Sequence, residues 1–330
     1  MKPTFHHKPV NGPFEDPSLY VRLLREKRAL LFDAGTLFRL SPGEILKITD
    51  IFVTHTHIDH FIGFDHVLRL LLGRTEPLKI YGPTNIIDCV RGKLNGYSWN
   101  LIKEYPINIE AFGVSETEIR HVGFPAETIF MPVERTSMPF KGTVLKDSSF
   151  SVNAAHVSHD IPCLAYSLEE DYHINIDKAA LERMGLQVGP WLTAFKKAIR
   201  ANVPPATPVD ADGRELLLGE LKEKIATITK GQKLTYVMDS SPTEENMEKL
   251  VGLSKDSDVL YSEAYFLDED IERARERNHL TAGITGMIAR RAGVKKLILM
   301  HYSPKYRRRE GELLKEAAAA FGGPVLIANP

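Results

Sequence analysis

The segment Thr54-His55-Thr56-His57-Ile58-Asp59-His60 decides both the fold and the chemistry of this chain. It follows the short apolar run 48–53, which predicts a buried strand. Neutral imidazoles and carboxylates suit zinc, which usually takes four ligands. Because alternate residues leaving a strand point in different directions, one such segment can supply two adjacent cations. The alternative is a polar loop that is merely rich in histidine, and the other strand ends argue against it.

Composition restricts the function classes. The chain has 330 residues, 43% of them hydrophobic, which is enough for one large domain or two modest ones. Its net charge of −1 offers no global attraction for nucleic acid, so any basic footprint must be local. Two cysteines cannot form a disulfide framework, and no apolar run approaches the roughly 20 residues of a membrane helix. We expect a cytoplasmic protein without a membrane partner.

The order of apolar patterns predicts alternating strands and helices. A strand pair is expected at 19–24 and 28–32, a helix at 61–72, a strand at 78–81 and several antiparallel strands at 105–155. Residues 171–227 are polar and helical in pattern, which predicts an insertion without a core of its own. Alternation then resumes, with strands at 234–238, 259–262 and 296–300 and helices at 243–253, 268–277 and 281–292.

Ionisable residues repeatedly follow the predicted strands, namely Asp33, His55, Asp239, Glu263 and His301. The carboxyl ends of strands in layered α/β folds gather into one site. One such aspartate alone is weak evidence, because it often caps the next helix. Five together predict a metal or catalytic site. His156 or His159 could add a further ligand, and spacing does not choose between them.

These residues resemble the metallo-β-lactamase superfamily, and finer features resemble ribonuclease Z. The superfamily motif is His55-x-His57-x-Asp59-His60. The features more particular to ribonuclease Z are Tyr81-Gly82-Pro83, His159-Asp160-Ile161-Pro162, Glu263-Ala264, His279-Leu280-Thr281 and His301-Tyr302-Ser303-Pro304-Lys305-Tyr306. The resemblance implies an αββα four-layer sandwich over residues 1–330, with an inserted arm at 171–227.

The resemblance also implies a ligand set for two zinc ions per chain. It selects His159, because the family's ligand lies three residues before a proline and seven before a tyrosine. One zinc would be held by His55, His57, His159 and Asp239, and the other by Asp59, His60, Asp239 and His301. Asp33 would hold a ligand histidine by a hydrogen bond. A role in a strand-end turn is the alternative for Asp33.

The family's reaction implies further roles. A water acidified by the metal pair would attack the scissile phosphorus, oriented by Asp59. His279, helped by Glu263, would donate to the leaving 3′-oxygen. Ser303 and Tyr306 would contact the substrate. The resemblance implies that this substrate is precursor tRNA.

The predicted arm resembles the tRNA-clamping arm of the family. Gly189 and Pro190 match its Gly-Pro motif, and Lys196 and Lys197 add local positive charge for phosphates. A solvated helical face is the alternative reading. The family's arm works across a homodimer, so a homodimer is the implied assembly.

Three departures from the family pattern concern the substrate. Residues 1–20 show neither the Gly-Thr-Gly turn nor the Pro-x-Lys-x-Arg-Asn loop, Met238 and Ser240 flank Asp239 in place of the usual residues, and the arm after Trp191 lacks the usual glycines and lysines. Three hypotheses therefore stand. They are a tRNA 3′-endonuclease, a ribonuclease Z-like hydrolase of another phosphodiester or ester, and a binding protein that kept the fold.

Overall fold

The computed structural model describes residues 4–24 and 26–330, and its first sheet is built in chain order. Its strands are β1 Phe5–Pro9, β2 Leu19–Leu23, β3 Ala29–Phe32, β4 Ile48–Phe52, β5 Leu78–Pro83, β6 Asn108–Val114, β7 Glu118–Pro125 and β8 Val133–Pro139. Strands β3 to β6 run parallel to one another, and the flanking pairs are antiparallel. The strands predicted at 19–24, 28–32, 48–53 and 78–81 are confirmed, and β1 was not predicted.

Four helices accompany this sheet, namely α1 Pro42–Ile45, α2 Ile58–Phe61, α3 Phe64–Leu71 and α4 Ile86–Asn95. Val67 and Leu71 of α3 and Val90 of α4 share one apolar cluster with the strand residues Ile51 and Ile80. The predicted helix at 61–72 begins earlier and is interrupted before Phe64. The end of the histidine-rich segment therefore forms a helical turn of its own.

Three strands continue the chain into the second sheet, namely β9 Thr143–Lys146, β10 Phe150–His159 and β11 Ile161–Glu170. Between β11 and the remaining strands lies a separate compact unit of Thr4, Leu145–Ser151 and Glu169–Gln232. Its elements are β12 Tyr172–Ile176, α5 Lys178–Arg183, α6 Trp191–Arg200, β13 Pro208–Ala211, β14 Arg214–Leu217, α7 Leu218–Ile225 and β15 Ala226–Lys230.

The prediction of a helical insertion without its own core is wrong. Two antiparallel pairs, β12 with β15 and β13 with β14, accompany the three helices. Leu181, Phe195, Leu221 and Ile225 are buried together in an apolar cluster of this unit. These residues are spread thinly among polar ones, so their common core forms only when the helices and strand pairs pack together.

The chain then completes the second sheet with β16 Lys233–Val237, α8 Glu244–Ser254, β17 Val259–Glu263, α9 Ile271–Arg277, α10 Ala282–Arg291, β18 Leu297–Met300, α11 Glu310–Phe321 and β19 Val325–Ile327. The strand order is β19-β18-β17-β16-β11-β10-β9. Strands β16 to β19 are parallel, so the ends of β16, β17 and β18 meet at one edge. Short 3₁₀ helices lie at Ile102–Glu104, Ala126–Thr128, Asp268–Asp270 and Pro304–Tyr306.

The two sheets pack face to face directly behind the histidine-rich segment. The Tyr166 hydroxyl of β11 donates to the Val53 carbonyl at 2.8 Å, and the Leu164 amide donates to the Thr54 carbonyl at 2.9 Å. Helices α8, α10 and α11 cover the other face of the second sheet. In the part of the chain described above, no helix is both long and apolar enough to cross a bilayer.

Candidate metal centre

The buried carboxylate of Asp33 fixes the histidine-rich segment to the end of β3. It accepts hydrogen bonds from the Thr54 amide at 2.7 Å and from the Thr54 hydroxyl at 2.9 and 3.0 Å. Asp33 itself has φ 54°, a left-handed conformation that costs of order 1–3 kcal/mol unless its surroundings hold it. The local hydrogen bonds supply that hold.

Gly63 allows the chain after β3 to lie directly against α2. The Ala34 amide donates to the His60 carbonyl at 2.8 Å, and the Gly63 amide donates to the Ala34 carbonyl at 2.7 Å. A Cβ at position 63 would lie 2.0 Å from the Gly35 carbonyl oxygen, so only glycine fits. This contact holds the turn that carries Asp59 and His60.

The parallel strands of the second sheet deliver three further groups. Asp239 follows β16, Glu263 ends β17 and His301 follows β18. Asp239 and His301 both adopt left-handed backbone, with φ of 50° and 51°. Each side chain therefore leaves its strand at a sharp turn, at the edge where the histidine-rich segment also lies.

The predicted ligands converge into groups whose donor atoms lie within 4.8 Å of one another. These groups are His55, His57, His159 and Asp239, then Asp59, His60 and His301, and finally Asp239, Glu263, His279 and His301. The Asp239 Oδ2 atom lies 3.4 Å from His55 Nε2 and 3.5 Å from the Nε2 atoms of His60 and His159. One carboxylate is thus central to the whole arrangement.

Hydrogen bonds on the outer nitrogens aim two imidazoles inward. His60 Nδ1 lies 2.8 Å from Asp33 Oδ2, and His159 Nδ1 lies 2.8 Å from the Asn278 carbonyl oxygen. Because these oxygens accept, each Nδ1 carries a hydrogen, and each Nε2 is directed toward the centre. Asn278 is a positioning residue that our sequence analysis missed, and its only sequence signal is that it precedes His279.

The buried polar atoms at this centre fit a bound cation. His55 Nε2 and His60 Nε2 are buried and have no hydrogen-bond partner among residues 4–24 and 26–330, while Asp239 Oδ1 and His301 Nδ1 lie 2.7 Å from each other. Leaving such atoms without a partner costs about 1–3 kcal/mol each. Imidazole and carboxylate donors at these positions suit zinc and other divalent transition metals.

The surroundings divide the imidazoles into two kinds. Burial, together with the charge of His60, lowers the pKa of His55 to about 2, and burial with the charge of His159 lowers the pKa of His57. Burial also opposes a charge on His60, but Asp33 and Asp239 outweigh it and raise the pKa of His60 to about 10. Burial thus favours the neutral form of His55 and His57, the form that ligates a metal, whereas a cation would replace a proton on His60.

Glu263 orients His279 beside the ligands. The Glu263 side chain is fully buried, its Oε2 lies 2.8 Å from His279 Nδ1, and its Oε1 accepts from the amides of Ser240 and Leu280 at 2.8 and 3.2 Å. The Tyr265 ring stacks on the imidazole at 3.9 Å between centroids and 8° between planes. This stacking partner had no recognisable signal in the sequence.

A cavity of about 340 Å³ opens over the centre. It is lined by His57, Asp59, His159, Asp239, Tyr265, Phe266, Arg273, Arg277, His279, His301 and Ser303. The prediction that Tyr306 contacts a substrate is wrong, because this side chain is fully buried. Its hydroxyl donates to Asp270 and accepts from the Leu267 amide.

The remaining predicted residues belong to none of these ligand groups. His156, the other histidine candidate, packs edge-on against Phe140 at 5.7 Å. In the inserted unit, Pro190 is exposed before α6, next to the half-buried Gly189. Within the same unit, the Lys196 ammonium donates to the Ile174 carbonyl at 2.6 Å, while Lys197 is exposed.

Comparisons with known proteins agree with this geometry. No family model matches the chain. A ribonuclease Z from Bacillus cereus is 32% identical over 318 residues, which cover 92% of this chain and 88% of the relative. A ribonuclease Z from Deinococcus radiodurans is 28% identical and covers 94% of both chains.

Two solved structures share the fold. The metallo-β-lactamase fold protein YhfI from Bacillus subtilis has a TM-score of 0.57 at 16% identity, over 98% of this chain and 95% of that one. The short form of human tRNase Z has a TM-score of 0.53 at 18% identity, over 99% of this chain and 95% of that one. The expected fold is therefore confirmed, and the chain belongs to the ribonuclease Z family of metal-dependent hydrolases with the metallo-β-lactamase fold.

Proposed function

We propose that this protein is an endoribonuclease that cleaves tRNA precursors at their 3′ side, with two zinc ions per chain. The observation that carries the proposal is the position of Asp239. Its carboxylate is common to two of the ligand groups, and the His279–Glu263 pair lies beside it. The relatives named ribonuclease Z and the structural neighbour named tRNase Z support this substrate.

The side chains present fit two cations. His55, His57, His159 and Asp239 would hold one. Asp59, His60 and His301 would hold the other, together with Asp239, whose carboxylate oxygens lie 3.5 Å from His60 Nε2 and 2.7 Å from His301 Nδ1. When bound, such a pair supplies Lewis-acid stabilisation of phosphoryl oxygens and makes a water acidic enough to attack near neutral pH.

The chain's own residues supply positioning and proton transfer. Asp59 lines the cavity, and its Oδ2 lies 3.5 Å from His301 Nε2, so it can orient the attacking water and accept its proton. Glu263 holds the Nδ1 hydrogen of His279, so the doubly protonated imidazole can give its Nε2 proton to the departing 3′-oxygen. Asp33 and Asn278 hold the imidazoles of His60 and His159 in register.

We further propose a cytoplasmic homodimer whose inserted unit binds the tRNA body. Gly189, Pro190 and the exposed Lys197 would form part of that surface. An apolar dimer contact is supported by Phe38 and Ile58, which are 81% and 74% exposed. The free thiols of Cys89 and Cys163 agree with a reducing compartment.

A second candidate is hydrolysis of a different phosphodiester. The loop after β1 lies against the metal centre, because the Tyr302 amide donates to the Pro13 carbonyl at 2.6 Å and Phe14 packs edge-on against Tyr302. This loop carries Glu15 and Asp16, and residues 11–19 contain no lysine or arginine. The loop therefore supplies no cation of its own to hold an RNA end.

One paired assay separates these functions. The zinc-loaded protein is incubated with unprocessed tRNA and with bis(p-nitrophenyl) phosphate, and metal content is measured on the same sample. Cleavage of both supports the tRNA endonuclease, and cleavage of the small diester alone supports the second candidate. A metal-loaded protein inert toward both would refute an enzymatic role and leave the binding-protein hypothesis.

A further inference from the structure

Two guanidinium groups on α9 line the cavity over the metal centre. Arg273 and Arg277 are four residues apart, so they project from one face of the helix. Both belong to the lining that also includes His279 and Asp239. In the described part of the chain, the lining contains no other arginine or lysine. Its negative charge comes from Asp59 and Asp239, the two aspartates proposed as metal ligands.

The two arginines differ from a neighbour on the same helix. Arg275 is paired with Glu272, with 2.7 Å between guanidinium and carboxylate. In residues 4–24 and 26–330, neither Arg273 nor Arg277 has a carboxylate within 4.0 Å. The nearby Asp270 is held instead by Lys305. Arg275, which is paired with a carboxylate, therefore lies on the helix between two arginines that line the cavity and have no such pair within the described residues.

The Phe266 ring lies beside Arg273 in the wall of the cavity. The guanidinium carbon of Arg273 lies 5.9 Å from the centre of the Phe266 ring, a cation–π distance. Phe266 itself is buried and lines the same cavity. The guanidinium of Arg273 therefore has an aromatic neighbour in the wall of the cavity that it lines.

We propose that Arg273 and Arg277 form a second phosphate site, which binds a phosphate of the RNA next to the scissile one. Guanidinium donors match phosphate oxygens in a two-pronged geometry. The scissile phosphate would lie at the cations, so a neighbouring phosphate needs positive charge of its own. The inference rests on the proposed function, and it makes the site selective for polynucleotides over diesters with a single phosphate.

The test compares the double variant Arg273→Gln/Arg277→Gln with the matched control Arg275→Gln. Binding of fluorescein-labelled hexauridylate to the zinc-loaded protein is measured by anisotropy at several salt concentrations. We expect the double variant to bind about ten-fold more weakly. The slope of log affinity against log salt should fall by about 0.7, the value for one single-strand phosphate. Arg275→Gln should bind like the unmodified protein.

Two further readouts separate this site from a general effect. Zinc content and bis(p-nitrophenyl) phosphate turnover should stay within about two-fold in the double variant, since that diester has only the scissile phosphate. Equal hexauridylate binding by the double variant and Arg275→Gln would overturn the proposal, as would a ten-fold loss of small-diester turnover or of zinc. Failure to cut precursor tRNA despite arginine-dependent binding would instead refute the proposed function alone.

Discussion

The substitution Asp33→Asn tests how the metal centre is held together. The Asp33 carboxylate accepts from the Thr54 amide and hydroxyl and lies 2.8 Å from His60 Nδ1. Asparagine has nearly the same shape, and its carbonyl oxygen can still accept from Thr54. Its amide nitrogen only donates, so it cannot accept from His60 Nδ1. His60 must then shift its hydrogen to Nε2, the atom that faces Asp239 at 3.5 Å.

The expected cost follows from these contacts. Loss of a partner behind a ligand histidine typically weakens metal binding 10–100-fold, which is about 1.4–2.8 kcal/mol. If His60 kept its hydrogen on Nδ1 instead, two donors would meet in a buried site, at about 1–3 kcal/mol of folding free energy. We therefore expect weaker zinc binding, lower stability of the metal-free protein, or both.

Chelator competition measures the zinc affinity, and denaturant unfolding of the metal-free protein measures the stability. The matched control is Asp50→Asn, which changes a buried carboxylate of β4 that is bound to Arg28 and Thr49. That control should leave zinc affinity within about two-fold, since Asp50 contacts none of the ligands. Unchanged zinc affinity and unchanged stability in Asp33→Asn would refute this account of Asp33.

Three other changes test separate parts of the structure. His279→Ala should retain zinc and lose about 10²–10⁴-fold in turnover; a zinc-free variant would show that this histidine is a ligand. Burial, with the charge of Lys296, lowers the pKa of His7 to about 4, below its unfolded value of 6.5. The unfolded chain therefore takes up a proton at His7 before the folded protein does, and the stability contributed by neutral His7 is lost as pH falls from 6.5 to about 4. His7→Gln should therefore gain up to about 3 kcal/mol relative to the unmodified protein between pH 7 and pH 4, measured by denaturant unfolding; parallel pH curves would contradict this. Replacing residues 172–230 by a short linker should spare small-diester hydrolysis and weaken precursor tRNA binding at least ten-fold; loss of both activities would show that this unit supports the catalytic fold.

The strand ends could be predicted because each is a short apolar run followed by one ionisable residue. Asp239 and Glu263 follow such runs, and parallel pairing of β16 and β17 brings them to one edge. Periodicity likewise located α8 and α10 to within about a residue of their observed bounds. Local sequence carries both kinds of information, because burial on both faces of a strand and on one face of a helix leaves a distinct pattern.

Contacts between distant segments could not be predicted. The Asn278 carbonyl reaches His159 across 119 residues, and Tyr265 stacks on His279 only because α9 turns the chain back. The burial of Tyr306 against Asp270 could not be predicted either, because a tyrosine in a family motif can face the substrate or the core without any difference in the local sequence. The core of the inserted unit was not predicted for a related reason. Apolar spacing reveals the buried face of one helix or strand, but not the packing of several short elements against one another.

The most direct test of the central claim is anomalous diffraction at the zinc edge from crystals of the purified protein. We predict two peaks per chain, a few ångströms apart, with the Asp239 carboxylate between them. One peak should be bounded by His55, His57 and His159, and the other by Asp59, His60 and His301. A fully folded protein with no peak, or with zinc bound away from Asp239, would contradict the account.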